Sequence, residues 1–528
     1  MLRRSFLRLG PGLAPLVRPA LAQGSRDTLT FVPQVDLAIL DPVFTRGSVT
    51  RNHGYLVFDT LYGIDEHFAA HPQMAAGHVV ADDGKLWTIT LREGLRFHDD
   101  SPVLARDCVA SIRRWARADG FGQALMAVTD DLSAPDDTTI RFRLQKPFPL
   151  LALALGKPGA NMCAIMPERL ASQQHNRQVT EMVGSGPYRF RADQRLAGAR
   201  VVYEKFDGYV PRPAGGPVGL TTGPKVAHIP RIEWHVMPDA ATATSALRQS
   251  EVDWIEQISS DLLPLLRRDA GIATAIKDPE GSIGFIRFNQ LHPPFDNPGI
   301  RRALLGAIDQ TASMMAVAGE DESLWRDGVG FFTPSSPMAN DAGIAVMTSP
   351  RDMTKVRRDL EAAGYRGERV VMLGAGDLPT LTALSEVTAD ALRRAGINLD
   401  FQVMDWGTVL SRLTSREPND KGGWNLYCSS TDGANMLNPA AHAAIRGNGA
   451  RAPGYGWPTA PKLEDLRSAW FDAATLADQQ RICREIQMQA WQDVPYIPAG
   501  LFLQTTAYRT SVSGVIPGFP AFYNVRKG

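Results

Sequence analysis

A chain of 528 residues with 56 Lys+Arg and 56 Asp+Glu is long enough for roughly two to four domains and for a large core without covalent staples. Its formal charge is zero with no acidic or basic tail, which excludes nucleic acid as a main partner, because phosphate binding needs a clustered positive excess. Its four cysteines, Cys108, Cys163, Cys428 and Cys483, have neither C-x-x-C nor zinc spacing and read as buried thiols, although an oxidising compartment would permit a bridge.

The chain opens on Arg3-Arg4-Ser5-Phe6-Leu7-Arg8, an arginine pair, a spacer, two bulky apolar residues and a further base, an order that resembles the twin-arginine export signal. A weakly apolar stretch from Leu9 to Val17 follows, then Arg18 and Ala20-Leu21-Ala22, which fits an A-x-A cleavage site. Residues 1–22 are expected to be a signal peptide removed near Ala22, with the twin-arginine machinery as a partner and the periplasm as the destination. The stretch is too short and too broken by Gly and Pro to span a bilayer, and no run of about 18 apolar residues occurs beyond it.

Past the leader, Leu86 to Leu91 and Thr139 to Leu144 alternate as strands, the second after the turn-like Pro135-Asp136-Asp137. Between them, Asp107 to Arg117 is predicted as a helix burying Cys108, Ile112 and Trp115 at spacings of four and three. Pro211 to Pro224 is dense in Gly and Pro and reads as a loop. Ile232 to Met237 alternates as a strand, Asp239 can cap a helix through Gln249, and Val252 to Ile255 is again extended. The same order recurs downstream. Arg369 to Leu373 is an apolar run, Gly374 and Gly376 turn the chain, a helix runs from Pro379 to Ala395 with Gly396 as its stop, and Ile397 to Val403 alternates. Such βαβ units have parallel strands and right-handed crossovers. Two of them, far apart in the chain, argue for two α/β lobes.

Enzyme motifs fail on their own chemistry. Glu66-His67-Phe68-Ala69-Ala70-His71 sets two imidazoles at i and i+4, but the acid precedes the pair and Pro72 follows at once, so an exposed loop is the better reading. Gly374-Ala375-Gly376-Asp377-Leu378-Pro379 has proline where a dinucleotide loop needs its third glycine. There is no G-x-S-x-G elbow and no G-x-x-x-x-G-K phosphate loop, and the paired acids Asp130-Asp131 and Asp136-Asp137 sit in turn contexts. No catalytic residue, metal ligand or cofactor is assigned, and the protein is expected not to be an enzyme.

Five ordered blocks carry a stronger signal. They are Leu91-Arg92-Glu93-Gly94-Leu95-Arg96-Phe97-His98-Asp99-Asp100-Ser101-Pro102, Val183-Gly184-Ser185-Gly186-Pro187-Tyr188, Arg287-Phe288-Asn289 with Pro293 through Ala303, Leu360 to Tyr365, and Val494-Pro495-Tyr496-Ile497-Pro498. Together they resemble the extracellular solute-binding proteins of family 5, the peptide and nickel class, over nearly the whole mature chain. The resemblance implies an α/β, periplasmic binding protein-like fold of two lobes (type II, cluster C), with an extra α+β subdomain in the first lobe and a two-strand hinge. Residues 23–58, 184–284 and 500–528 would form the first lobe, 59–183 its subdomain and 285–499 the second lobe, with hinge strands near Phe285 to Phe288 and Gly500 to Leu503. It also implies a monomeric periplasmic receptor of an ABC importer, which captures a short peptide or peptide-like solute for permease subunits driven by cytoplasmic ATPases. An opine, a sugar or a metal chelate is the alternative ligand; a ligand-sensing subunit and an exported hydrolase are the rival roles.

Most blocks read as fold determinants. Asp296 or Asn297 can cap a helix whose first position is Pro298, and Gly186-Pro187 turns the chain before the strand from Tyr188 to Arg191. Asp100 stands where the family has glycine, and Leu104 where it has a capping Thr, so the cap is expected to move to Ser101 with Pro102 opening the helix. In peptide-binding members an Asp late in the second lobe holds the ligand ammonium. Here the matching stretch runs from Trp424 to Pro439, so either Asp432 or Asn435 is the anchor, with Trp424, Ser430 and Thr431 beside it. A carboxylate pairs with an ammonium through charge-assisted hydrogen bonds, whereas Asn offers only a neutral amide. Trp406 matches a pocket tryptophan, and Thr50, Arg51 and Asn52 lie in a segment that approaches the cleft, Arg51 being suited to a ligand carboxylate.

Overall fold

The computed structural model describes residues 27–174, 177–451 and 454–528, so the expected export signal, residues 1–22, lies outside the described residues. Two large sheets organise two lobes. The first has seven strands in the order Ile272–Ile276, Thr505–Arg509, Trp254–Ile258, Thr28–Val32, Arg231–His235, Arg200–Lys205 and Tyr188–Phe190. Thr28–Val32 is parallel to both its neighbours, because the helix Ala240–Arg248 carries the chain over it from one to the other. Asp239 caps that helix, its carboxylate accepting the Thr242 N–H at 2.7 Å. Apolar alternation in Thr28–Val32 sends Phe31 into an aromatic core, with ring centroids 5.5, 5.1 and 5.0 Å from Trp234, Trp254 and Phe522. Such tilted and edge-on pairs add about 0.5–1.5 kcal/mol each beyond burial.

The second sheet has six strands, in the order Trp325–Arg326, Tyr496–Phe502, Ser282–Phe288, Leu426–Asp432, Val370–Ala375 and Leu399–Met404. The last two pair in parallel through the helix Pro379–Arg394, which buries Leu381, Leu384 and Leu392. Ser282–Phe288 has a partner on each side and is buried at every position, Arg287 included.

A third sheet of four antiparallel strands, Ala75–Ala81, Leu86–Leu91, Thr139–Leu144 and Thr129–Ser133, lies in the subdomain. The helix Ala105–Ala118 covers it with Cys108, Ile112 and Trp115 fully buried. The cap expected at Ser101 is not used. The helix begins after Leu104, whose N–H donates to the Asp107 carboxylate at 2.9 Å, so an acid in the first turn replaces the missing hydroxyl, while Ser101 closes a turn on Asp99. Asp100 takes φ 65, a left-handed conformation that suits glycine and that Asp tolerates better than most residues. Asn297 rather than Asp296 caps Pro298–Leu305, accepting the Gly299 N–H at 2.8 Å. All four cysteines are free and buried.

The chain passes between the two large sheets at residues 277–281 and 503–504. Phe285 to Phe288 and Gly500 to Leu503, expected as the hinge, lie within or directly against the second sheet, because Ser282–Phe288 and Tyr496–Phe502 pair with each other there.

Candidate functional site

The helix Ser48–Val57 is buried from Val49 to Val57, so its polar side chains must find partners. Thr50 Oγ1 donates to the Ile39 carbonyl at 2.7 Å, a local tie. Asn52 Nδ2 donates to Glu256 at 3.0 Å, and Lys277 pairs with the same carboxylate at 3.0 Å where the chain leaves the first sheet. Arg51 reaches the other way. Its Nη1 lies 2.9 Å from the carboxylate of Asp432, at the end of the second-lobe strand Leu426–Asp432, and Ser48 Oγ donates to the same oxygen at 2.8 Å. The Arg51 guanidinium also lies over the Phe519 ring, 4.6 Å from its centre. Burial alone would raise the Asp432 pKa; the charges of Arg51 and Lys277 and the hydrogen bonds from Ser48 and Arg51 outweigh it and hold the carboxyl below its ordinary 3.8. Two candidate residues from opposite lobes therefore meet each other.

Beside this pair opens a cleft of about 390 Å³ with walls from both lobes. Arg46, Asp119 and Lys157 come from the first; Arg287, Thr431, Asn435 and Arg451 come from the second. Asp119 caps the helix Gly120–Ala127 through the Phe121 and Gly122 N–H groups and pairs with Lys157 at 2.7 Å. Asn435 Oδ1 accepts the Ala160 N–H at 3.3 Å, a further bridge between lobes, and its Nδ2 donates to Thr431 Oγ1 at 3.2 Å. Phe285, Tyr427 and Tyr455 supply aromatic surface, with ring centroids 6.3 Å apart for the first two and 6.4 Å for the last two. Arg287 is 4% exposed, donates from Nε to the Tyr455 carbonyl at 2.9 Å and from Nη1 to the Ala444 carbonyl, and burial draws its pKa below the ordinary 12.5. A second, more apolar pocket of about 240 Å³ adjoins the cleft, sharing Lys157 and Ala441 with it and lined in part by Phe68, Phe121, Leu437 and Trp470.

Trp424 lies beneath the aromatic surface rather than in the cleft wall. Its indole N–H donates to the Ser415 carbonyl at 3.2 Å and its ring meets Tyr427 edge-on at 5.5 Å. Trp406 is half-buried at the start of Trp406–Leu413, its backbone N–H on Asp377, and stands outside the wall, as does the half-buried Ser430. Sequence reasoning misses Arg46, Lys157, Arg287 and Arg451. Only Arg287 leaves a local signal, as the single charge in Ile283-Gly284-Phe285-Ile286-Arg287-Phe288, since a cation in a buried strand needs either a partner or a cavity.

Residues 69–448 match the family described as bacterial extracellular solute-binding proteins, family 5 Middle. A Sinorhizobium fredii protein named "Probable peptide ABC transporter periplasmic-binding protein" is 34% identical over 495 residues, 93% of this chain and 92% of its own length. The glutathione-binding protein of Pectobacterium atrosepticum is 26% identical over 540 residues, 98% and 95% of the two chains. Among solved structures, a Pseudoalteromonas dipeptide-binding protein in complex with Met-Leu has a TM-score of 0.76 at 19% identity, over 95% of this chain and 100% of that one. A periplasmic binding protein of A. tumefaciens in complex with agropinic acid has 0.77 at 19%, over 95% and 99%. The fold is the two-lobed, type II periplasmic-binding-protein fold. With the family match covering most of its length, the chain belongs to the bacterial extracellular solute-binding proteins of family 5, transport receptors and not enzymes.

Proposed function

We propose that the chain binds a short peptide or peptide-like solute in the cleft and hands it to the permease subunits of an ABC importer, having reached the periplasm through the twin-arginine signal in residues 1–22. The cleft carries this reading. At about 390 Å³ it falls within the roughly 300–1,000 Å³ of small-molecule sites, and it combines aromatic surface with polar groups from two lobes. The relatives named for peptide and glutathione binding, alike over nearly their whole length, support it. In this reading the expected bounds, 23–58, 184–284 and 500–528 for the first lobe with the subdomain 59–183 and 285–499 for the second, shift by a few residues to the crossings at 277–281 and 503–504, and the protein works as a monomer. The adjoining pocket takes an apolar side chain of the solute. Closure is a population shift, because the Arg51–Asp432 and Ala160–Asn435 contacts exist only when the lobes meet and a bound solute adds to them.

Thermal unfolding of the mature protein with mixed dipeptides and tripeptides should show a raised Tm. A rise with another solute class and none with peptides would sink the peptide half of the reading. An opine-like solute is the second reading, favoured by the excess of cationic side chains in the cleft walls.

A further inference from the structure

The cleft is one-sided in charge. Among the described residues, Arg46, Lys157, Arg287, Arg446 and Arg451 face a single carboxylate, that of Asp119. Asp119 is already engaged by Lys157 and two helix N–H groups, and Arg446 pairs behind the wall with Glu464 at 3.2 Å. Arg46, Arg287 and Arg451 form no ion pair with any described residue. Arg287 decides the matter. It is 4% exposed, and its hydrogen bonds, from Nε and Nη1, end on the carbonyls of Tyr455 and Ala444, which leave its charge without a counter-ion and part of its donor fork unused. A buried guanidinium without a counter-ion is costly, so an anion arriving beside it relieves a standing deficit. The acceptors that an α-ammonium would need are not on offer in the cleft: Asp119 has one oxygen on Lys157 and the other on two helix N–H groups, Asn435 Oδ1 accepts the Ala160 N–H, and Asp432, with Oδ2 on Arg51 and Ser48, lies outside the cleft lining.

Resting on the peptide reading above, we propose that the solute is an anion recognised through a carboxylate, which pairs with Arg287 inside the cleft, while its amino end, free or blocked, meets no counter-ion. Arg287 is the specificity-determining residue. The planar guanidinium fork matches a carboxylate in a way that an ammonium does not. Arg46 and Arg451, exposed on opposite lobes at the same cleft, draw the anion in and make binding sensitive to salt. The solute class is an acidic peptide or an N-acylated peptide acid.

Three tripeptide libraries test this on the full mature chain: unmodified peptides, N-acetylated acids, and free-amine peptides with amidated C-termini. Binding is ranked by native mass spectrometry, and the best binder is measured by calorimetry. N-acetylation should change affinity less than about threefold, whereas amidation and Arg287→Met should each weaken it about thirty-fold or more. Arg287→Lys should restore part of the loss. Amides that bind as well as acids, N-acetylation that abolishes binding, or an unchanged Arg287→Met would overturn the proposal. Should Arg287→Met not fold, the exposed double variant Arg46→Ala/Arg451→Ala takes its place, with a several-fold loss and a shallower salt dependence expected, and no change overturning it. If no peptide of any library binds, the peptide reading fails by itself, and the solute retained through gentle purification decides the charge: an anion upholds the inference, and a neutral or cationic solute overturns it.

Discussion

Arg51 and Asp432 hold each other across the lobes, and the energetic weight lies on the arginine, whose side chain is 3% exposed against 24% for its partner. Asp432→Ala would leave that guanidinium buried without its carboxylate. We expect a loss on the order of 2–3 kcal/mol, below the roughly 3–5 kcal/mol of a fully buried pair because Asp432 is partly wet. Chemical denaturation reads it directly, and an unchanged midpoint would mean that the pair contributes nothing. The acid limb has a definite sign. Because the carboxyl is held below its ordinary 3.8, its contribution is complete above that pH and is lost as pH falls through the lowered value, so the closed form should loosen in acid and not near neutrality. Asp432 is legible in the sequence as a candidate; its partner is not, because 381 residues separate them and nothing local to either names the other.

At the scale of elements, two of the sequence blocks and the end of the helix Ser48–Val57 turn out to be one joint. The Gly184 carbonyl accepts the His98 N–H at 2.9 Å, Ser185 Oγ accepts the Asp59 N–H at 3.1 Å, and the Gly186 N–H donates to the Val57 carbonyl at 2.8 Å. A Cβ on Gly184 would sit 1.9 Å from the Val57 oxygen, a backbone atom that cannot swing away. Gly184→Ala should therefore cost about 3 kcal/mol or more, the upper end of overpacking, while Gly77→Ala, with nothing within 4 Å, should stay within about 0.5 kcal/mol. Equal midpoints for the two variants would refute this account. The motif is legible without the structure but its cause is not: glycine reads as a turn residue, whereas here close approach of backbone demands it. The crossing segment 277–281 holds a second device. Glu280 is buried beside Asp278, and burial first, then the neighbouring acid, raises its pKa above the ordinary 4.5. The folded chain thus binds a proton that the unfolded chain releases, and stability should fall as pH rises above 4.5 toward the raised value. Glu280→Gln should flatten that slope of Tm against pH; a slope like that of the parent would assign it elsewhere.

For the whole molecule, the two βαβ units and the ordered blocks make the architecture readable, since periodicity and turn chemistry act over short stretches. The cleft is readable only in part. Thr431, Asp432 and Asn435 fall in one stretch, but the cationic lining is assembled from loops and a strand that only the closed lobes bring together. The lobes also meet through Phe121 and Phe148, whose rings lie 5.7 and 6.1 Å from Phe471, and through Lys146 and Asp472 at 2.6 Å. The export reading is tested on the living cell: Arg4→Lys should leave the protein in the cytoplasm, and undiminished recovery from the periplasm would discard the twin-arginine assignment. A final consequence concerns the order of synthesis. The strand Thr505–Arg509 lies inside the first sheet, between Trp254–Ile258 and Ile272–Ile276, although Thr28–Val32 of that same sheet is made long before it. The ribosome therefore delivers the strand Thr28–Val32 long before Thr505–Arg509, and the first sheet cannot close until that later strand has emerged. Domains usually fold in the order they emerge; here the first lobe must wait for a strand that follows the whole second sheet. A chain stopped after Gln504 should keep its first lobe open to protease, and full protection would refute this order.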